Sequence, residues 1–140
     1  MRKLTIKKIV ARKILNSRGD PTIEVEVTVK RGERVAVGRA AAPSGASKGA
    51  REVADLPAGG VDMAVKRAGK LAPKLANINA FDQARVDEAL REIDGTPNLS
   101  KLGGNTTVAV SMAVAKAAAS IGRVPLFVYL GGGKAYELPY

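Results

Sequence analysis

Residues 21–30, PTIEVEVTVK, alternate between apolar and polar side chains, and this alternation constrains the fold more than any other feature of the chain. Successive side chains of a β-strand point to opposite faces, so the pattern predicts a strand with one buried face and one exposed face. The apolar positions are Ile23, Val25, Val27 and Val29, and the polar positions are Glu24, Glu26, Thr28 and Lys30.

The segments on both sides of this strand are also rich in β-branched or small apolar residues. LTIKKIVARKIL, residues 4–15, precedes it, and RVAVGRAAA, residues 34–42, follows it. Short turns are expected at residues 16–21 and 30–33, where Gly, Asn, Ser and Asp favour a reversal of the chain. Consecutive strands joined by such turns pair antiparallel, so the sequence predicts a three-stranded meander.

After residue 49 the apolar residues recur with a helical period. Residues 61–75 carry one apolar stripe, with Lys66, Lys70 and Lys74 on another face. This spacing predicts a single amphipathic helix with a basic outer side. Pro73 is expected to end or kink that helix near its last turn, because proline lacks the backbone N–H that a helix interior needs.

Further helices are predicted along the rest of the chain. One runs over residues 79–94 with Asn79 as its N-cap. Its buried side is expected to contain Phe81, Val86, Ala89, Leu90 and Ile93. Residues 106–121 hold one charge, Lys116, and such a nearly uncharged stretch predicts a helix at the centre of the fold. It is shorter than the roughly 20 residues that a bilayer requires. A short helix begins at Pro125.

These elements together predict an α+β fold, a three-stranded antiparallel meander followed by a helical bundle. A chain of 140 residues can bury one substantial core. We therefore expect residues 1–140 to form a single domain.

The charge balance is strongly basic and uneven. Lys and Arg number 23 against 13 Asp and Glu, and residues 1–20 hold seven basic side chains and one carboxylate. Such a surface fits nucleic acid, an anionic membrane, an anionic substrate or simply solvent. Aromatic residues make up only 4% of the chain and no reading motif is present, so we do not expect nucleic-acid binding. A basic nucleic-acid-binding module, or a structural assembly module, nevertheless stays as the alternative function for this chain.

The sequence contains no cysteine and no histidine. This excludes disulfides, thiolate metal sites and every nucleophile that depends on a histidine base. Asp87, Glu88 and Glu92 fall on a solvated helix face, where we interpret them as surface charges rather than as acid–base groups. Lys7 and Lys8 interrupt the apolar region that a secretion signal would need, so we expect neither a signal nor a membrane anchor.

Two glycine-containing segments are candidates for ligand binding. PSGASKG, residues 43–49, is either an ordinary turn or a loop that reaches for a ligand. Residues 103–106, at the start of the central helix, could cradle an anion with their amides. Capping of that helix by Asn105 is the plainer interpretation.

Five blocks, taken in order, resemble the N-terminal domain of the enolase family. They are ILNSRGDPTIEVEV, AAPSGASKGARE, LREIDGT, NLSKLGGNTTVAVSMAVAKAAA and VPLFVYL. The resemblance covers residues 9–140. It implies an α+β cap that packs against a catalytic barrel of roughly 250 further residues.

The resemblance also implies an activity. Enolases dehydrate 2-phosphoglycerate to phosphoenolpyruvate in glycolysis: a lysine removes the proton next to the carboxylate, a glutamate protonates the leaving hydroxyl, and two Mg²⁺ ions neutralise the developing charge. None of these catalytic groups matches a position in this chain. The resemblance therefore implies that the chain is inactive or nearly so alone, and that Mg²⁺ binds only when the barrel is present.

Within this chain the resemblance assigns a role to the loop at residues 43–49, which in the family closes over bound substrate. The substrate-loop positions are Ser44, Gly45, Ala46, Ser47 and Lys48. The serine that matches Ser47 binds the second Mg²⁺ through its hydroxyl and backbone oxygen, which suits a hard ion. Gly45 and Ala46 would permit a close approach of the backbone to the substrate.

The family also has a dimer interface on its first two strands. Arg12 and Glu24 match positions there, and Arg18 is assigned to the same surface. From the residues alone, Arg12 and Glu24 would be an exterior cross-strand pair. The resemblance thus implies a homo-oligomer whose other partners are the barrel and 2-phosphoglycerate, in the cytoplasm and away from membranes.

The chain departs from the family pattern at two places. Lys48 stands where the family has threonine, and its cation could either assist an anion or oppose Mg²⁺ in the same site. Residues 53–65, VADLPAGGVDMAV, lack the charged stretch that usually follows the loop.

Overall fold

The computed structural model describes residues 3–43, 47–134 and 136, and it begins with the predicted meander. The strands are β1 (Thr5–Leu15), β2 (Pro21–Arg31) and β3 (Arg34–Ala41). They form one antiparallel sheet in the order β1-β2-β3, with Arg12 opposite Glu24 and Glu24 opposite Ala41. A bulge in β1 shifts the register between Ile6 and Lys8. The fold class and the meander predicted from the sequence are confirmed.

Five α-helices follow the sheet in the described part of the chain. They are α1 (Gly60–Ala68), α2 (Ala72–Leu75), α3 (Gln83–Asp94), α4 (Gly104–Gly122) and α5 (Leu126–Gly131), and a 3₁₀ turn over Gly132–Lys134 comes after α5. None of the helices in the described ranges is long and apolar enough to cross a membrane.

The core lies between the sheet and the helices. All four apolar positions of the alternating strand have no exposed surface, as their period predicts. Helix α4 packs on β2 and β3, and 12 of its 19 residues are buried. The prediction of a central helix is therefore confirmed. The backbones of β3 and α4 approach so closely that Gly38 lies against the backbone of Ala113 and Ala117.

The prediction of one helix over residues 61–75 is wrong, because α1 and α2 are separate. Gly69 caps the end of α1, and the amides of Lys70 and Leu71 bond back three residues, as in a tight 3₁₀ turn. Pro73 lies in the first turn of α2, where a missing N–H costs no hydrogen bond. The proline therefore marks the start of a helix and not the end of one.

Asn79 is also not the N-cap of α3. That helix begins at Gln83, and the carboxylate of Asp82 accepts a hydrogen bond from the amide of Arg85 at 3.1 Å. The Asn79 side-chain oxygen instead accepts from the amides of Leu4 at 3.1 Å and Phe81 at 3.3 Å. It thus joins the start of β1 to the segment before α3, while the buried side of α3 is as predicted at Val86, Ala89 and Leu90.

Candidate functional site

The candidate loop, residues 43–49, leaves the end of β3 and leads towards α1. Ser44, Gly45 and Ala46, three of the predicted substrate-loop residues, lie outside the described residues. Ser47 and Lys48 are described, and both are exposed. A cavity of about 310 Å³ opens beside the start of this loop, lined by the β1–β2 turn and by the end of β3 as far as Pro43.

Lys48 forms an ion pair with Asp55, seven residues further along the chain. The hydrogen bond from Lys48 to Asp55, together with the charge of that carboxylate, raises the pKa of the lysine. Gly49, the next residue, is held by two more bonds. Its amide donates to the Glu52 carboxylate at 2.6 Å, and its carbonyl accepts from the Glu52 amide at 3.3 Å. Residues 48–55 therefore close on themselves as a compact turn.

The far end of this turn is attached to the start of α4. The amides of Gly104 and Asn105 donate to the carbonyls of Ala54 and Asp55, at 2.7 and 3.0 Å. The helix begins after Gly103, which has a φ of +88° and no side-chain cap. The prediction that Asn105 caps the helix is therefore wrong, because this residue lies inside it.

These bonds also argue against the interpretation of residues 103–106 as an anion-binding segment. Three of the four amides that would hold an anion at this point already donate to backbone carbonyls: those of Gly103, Gly104 and Asn105, to Leu99, Ala54 and Asp55. A Cβ at Gly103 would lie 2.8 Å from the Asp55 carbonyl oxygen, so glycine is needed for close packing of two chain segments. The segment joins two parts of the fold instead of cradling a ligand.

A charged cluster occupies the outer face of the sheet at the predicted interface residues. One nitrogen of the Arg12 guanidinium donates to Glu24 at 2.7 Å and to Glu26 at 3.0 Å, and Arg39 lies 3.9 Å from Glu24. Hydrogen bonds to Glu26 and Glu24 raise the pKa of Arg12, and the bond from Arg12 lowers the pKa of Glu26. The sequence reasoning identified Arg12 and Glu24 but missed Glu26, which lies on the same face two residues further along β2.

Arg18 lies in a different place from Arg12 and Glu24. It belongs to the turn between β1 and β2, where its amide donates to the Asn16 side chain at 2.9 Å, and its side chain is exposed. Its assignment to the interface remains a prediction.

Glu88 and Glu92 are exposed surface charges as the sequence predicts, whereas Asp87 departs from the predicted solvated face. Arg85 binds Glu88 at 2.8 Å and Glu92 at 3.1 Å, and all three side chains are exposed. Asp87 is half-buried and accepts a hydrogen bond from Gln83 at 3.1 Å.

The sequence reasoning missed a buried carboxylate, Asp94, which is only 2% exposed. Burial alone would raise the pKa of Asp94, but bonds from the Thr96 hydroxyl and from the amides of Leu102, Thr96 and Lys101 outweigh burial and lower it. The residue fixes the loop between α3 and α4, which in turn places the start of α4 against residues 54 and 55. The signal was available in DGT, because a short acidic side chain just before a turn commonly accepts backbone amides.

The described residues contain no group of three or more His, Cys, Asp or Glu side chains that could hold a metal ion. Exposed Ser47 offers one hydroxyl oxygen, a ligand type that suits Mg²⁺. The donor set in the described ranges therefore fits a single ligand to a metal held mainly by other groups.

Comparison with known proteins gives a consistent result. The family whose profile matches residues 6–130 is described as "Enolase, N-terminal domain". The chain is 53% identical over 136 residues to the enolase of Methanothermobacter thermautotrophicus, and 50% identical over 143 residues to that of Anaplasma marginale. Each match covers 96% of this chain and 32% of the relative. A third, the enolase of Bdellovibrio bacteriovorus, is 48% identical over 140 residues.

The fold and the matched residues define the class: the chain belongs to the enolase N-terminal domain family. It spans about a third of the length of the curated relatives it matches.

Proposed function

We propose that this chain is the capping domain of an enolase and acts in the cytoplasm with a catalytic barrel on the same or a separate chain. The reaction is the dehydration of 2-phosphoglycerate to phosphoenolpyruvate. The observation that carries the proposal is the match over residues 6–130, which includes the candidate loop and the outer sheet face. Residues 1–140 would form one domain without the barrel.

In this proposal the loop at residues 43–49 closes over the bound substrate. Small residues at Gly45 and Ala46 would let the backbone approach the substrate closely. Closure would expel water and complete the site only when substrate is present, so that charges in the site interact through a low dielectric. Residues 54 and 55, attached to the start of α4, provide a fixed base for this loop.

Ser47 would contribute oxygen ligands to a Mg²⁺ ion, and its exposed position supports this role. When bound, Mg²⁺ would neutralise negative charge that develops on the substrate. The remaining metal ligands, the proton-abstracting lysine and the proton-donating glutamate would come from the barrel. The chain would then have no lyase activity alone.

A homo-oligomer would use the outer face of the sheet, with Arg12, Glu24 and Arg18 near the partner. Val35 and Val37, on this face of β3, are 58% and 55% exposed, which leaves apolar surface to cover. Because Arg12 already binds two carboxylates of its own chain, contact with a partner subunit would have to exchange or extend these bonds.

Replacing Ser47 with alanine in an enolase that contains this domain is expected to lower kcat/KM for 2-phosphoglycerate by at least about tenfold, because even residues outside a metal's direct ligand set cost 10- to 100-fold. Steady-state kinetics over a range of Mg²⁺ concentrations measures the effect. Ser120→Ala, at an exposed serine near the end of α4, is the matched control and is expected to keep the full rate.

The same samples separate a lid from a purely structural partner. Sedimentation of the domain with the barrel should be unchanged by Ser47→Ala, because the loop would act in closure and not in assembly. Unchanged kinetics in the Ser47→Ala enzyme would contradict the proposed role of the loop.

A further inference from the structure

The ion pair between Lys48 and Asp55 connects the end of the candidate loop to a segment that is bonded to the start of α4. Lys48 follows Ser47 directly, and its side chain is 70% exposed. Asp55 is 44% exposed at its side chain, while its backbone carbonyl accepts the Asn105 amide at 3.0 Å. One residue therefore binds the loop with its carboxylate and α4 with its main chain.

The fixed side of this connection is well supported. Ala54 donates its amide to the Asn98 carbonyl at 2.9 Å and accepts from Gly104 at 2.7 Å. Close packing of Gly103 on Asp55 and Leu56 leaves no room for a side chain between the segments. The backbone around Asp55 is thus held by three hydrogen bonds, to Asn98, Gly104 and Asn105, and none of them depends on its carboxylate.

On the loop side, the bonds between described residues all lie within one turn, residues 48–55. The described bonds that hold residues 48 and 49 are the Lys48–Asp55 pair and the reciprocal bonds between Gly49 and Glu52. A loop whose end is already ordered loses less conformational entropy when it closes on a ligand. A contact that orders residues 48 and 49 in the free protein therefore favours closure when it holds the conformation that these residues keep in the closed loop.

We propose that Asp55 is a positioning residue, which through Lys48 fixes the end of the substrate loop next to Ser47. This inference rests on the proposed function of the loop. It also assigns a role to the Lys48 side chain. The ammonium group is paired with the Asp55 carboxylate and orders the loop, and it does not act as a free cation that attracts an anion or repels a metal.

The first test measures the order of the loop in the 140-residue chain. In Asp55→Asn, amide hydrogen exchange at Gly49 and Glu52 is expected to speed up by about two- to fivefold, the range that corresponds to an exposed ion pair. Raising the salt concentration should accelerate exchange in the wild type and have little effect in the variant.

Two further variants serve as controls. Asp62→Asn removes another exposed aspartate, which binds Lys13 at 2.8 Å, and should leave exchange at Gly49 unchanged. Exchanging the two charges in Lys48→Asp/Asp55→Lys should restore slow exchange. Exchange in Asp55→Asn that equals the wild type, or that is matched by Asp62→Asn, would overturn the proposal.

The second test measures positioning in an enolase that contains this domain. Asp55→Asn is expected to raise KM for 2-phosphoglycerate about two- to fivefold with little change in kcat, because the cost of ordering the loop is then met on binding. In a Lys48→Thr background the same change should have no effect, as a double-mutant cycle requires for two residues that act together.

The two tests distinguish the possible failures. If the enzyme turns over 2-phosphoglycerate but Asp55→Asn leaves both exchange and KM unchanged, the positioning role is wrong and the proposed function stands. If exchange responds as expected but the complete protein has no enolase activity, the proposed function is wrong and the positioning role falls with it. An equal rise of KM in the wild-type and Lys48→Thr backgrounds would show that Asp55 acts by another route.

Discussion

Replacing Gly38 with alanine is expected to lower the free energy of unfolding by about 3 kcal/mol, the upper end of the typical range for overpacked cores. A Cβ at this position would lie 2.0 Å from the Ala113 carbonyl oxygen and 2.5 Å from the Ala117 nitrogen. Both atoms belong to the backbone of α4, so no rotation of a side chain can relieve the contact. The strand and the central helix would have to move apart.

A loss of this size is a large part of the total stability of a small domain, which is about 5–15 kcal/mol. Urea unfolding followed by circular dichroism measures it. Gly122→Ala is the matched control, because a Cβ at the end of the same helix would meet only Val124 at 3.7 Å, and alanine is the better helix former. A Gly38→Ala protein whose stability lies within 0.5 kcal/mol of the wild type, a change typical of neutral surface substitutions, would contradict the close packing of β3 on α4.

The second large effect is expected at Asp94, where asparagine should cost about 2–3 kcal/mol. One carboxylate oxygen accepts the Thr96 amide at 3.0 Å and the Thr96 hydroxyl, and the other accepts the Leu102 amide. An asparagine amide group, in either orientation, points an N–H at one of these donors. Chemical denaturation at neutral pH tests the prediction, with the exposed Asp62→Asn as the control.

The same carboxylate predicts a pH dependence with a definite sign. The pKa of Asp94 in the folded protein is lower than the value of about 3.9 for an aspartate in an unfolded chain. Its contribution to stability is therefore complete above about pH 4–5 and is lost as the pH falls through the lower folded-state pKa. The wild type should lose more stability than Asp94→Asn between pH 5 and pH 3, and parallel losses would contradict this assignment.

The sheet could be predicted from the sequence because its signal is local. Alternation at Ile23, Val25 and Val27 needs no knowledge of the rest of the chain, and neither does the nearly uncharged run that became α4. The family resemblance was likewise carried by contiguous blocks of sequence, and the comparisons confirm it over residues 6–130.

The errors arose where a residue's partner lies far along the chain. Asn79 has the right chemistry for a helix cap, yet its oxygen binds the amide of Leu4, 75 residues away. Asn105 was predicted as a cap because the sequence does not reveal that residues 54 and 55 lie against the start of α4. Pro73 fits both the end and the start of a helix, and the choice depends on how the segment packs on the sheet.

The candidate site was predicted unevenly for the same reason. The resemblance pointed to Ser47 and to Arg12 with Glu24, but the roles of all these residues remain predictions. The partner of Lys48 could not be inferred, because Asp55 has no distinguishing motif and meets the lysine only through the turn at residues 49–52. Three of the loop residues, Ser44, Gly45 and Ala46, lie outside the described residues.

The proposed division of labour between this domain and a barrel is tested most directly by measuring phosphoenolpyruvate formation. The chain is mixed with Mg²⁺ and 2-phosphoglycerate, alone and together with an enolase barrel that lacks its own N-terminal domain, and the ultraviolet absorbance of the product is followed. We expect no turnover by the chain alone and turnover by the mixture well above that of the barrel alone. Turnover by the chain without any barrel, or a mixture no faster than the barrel alone, would contradict the proposal.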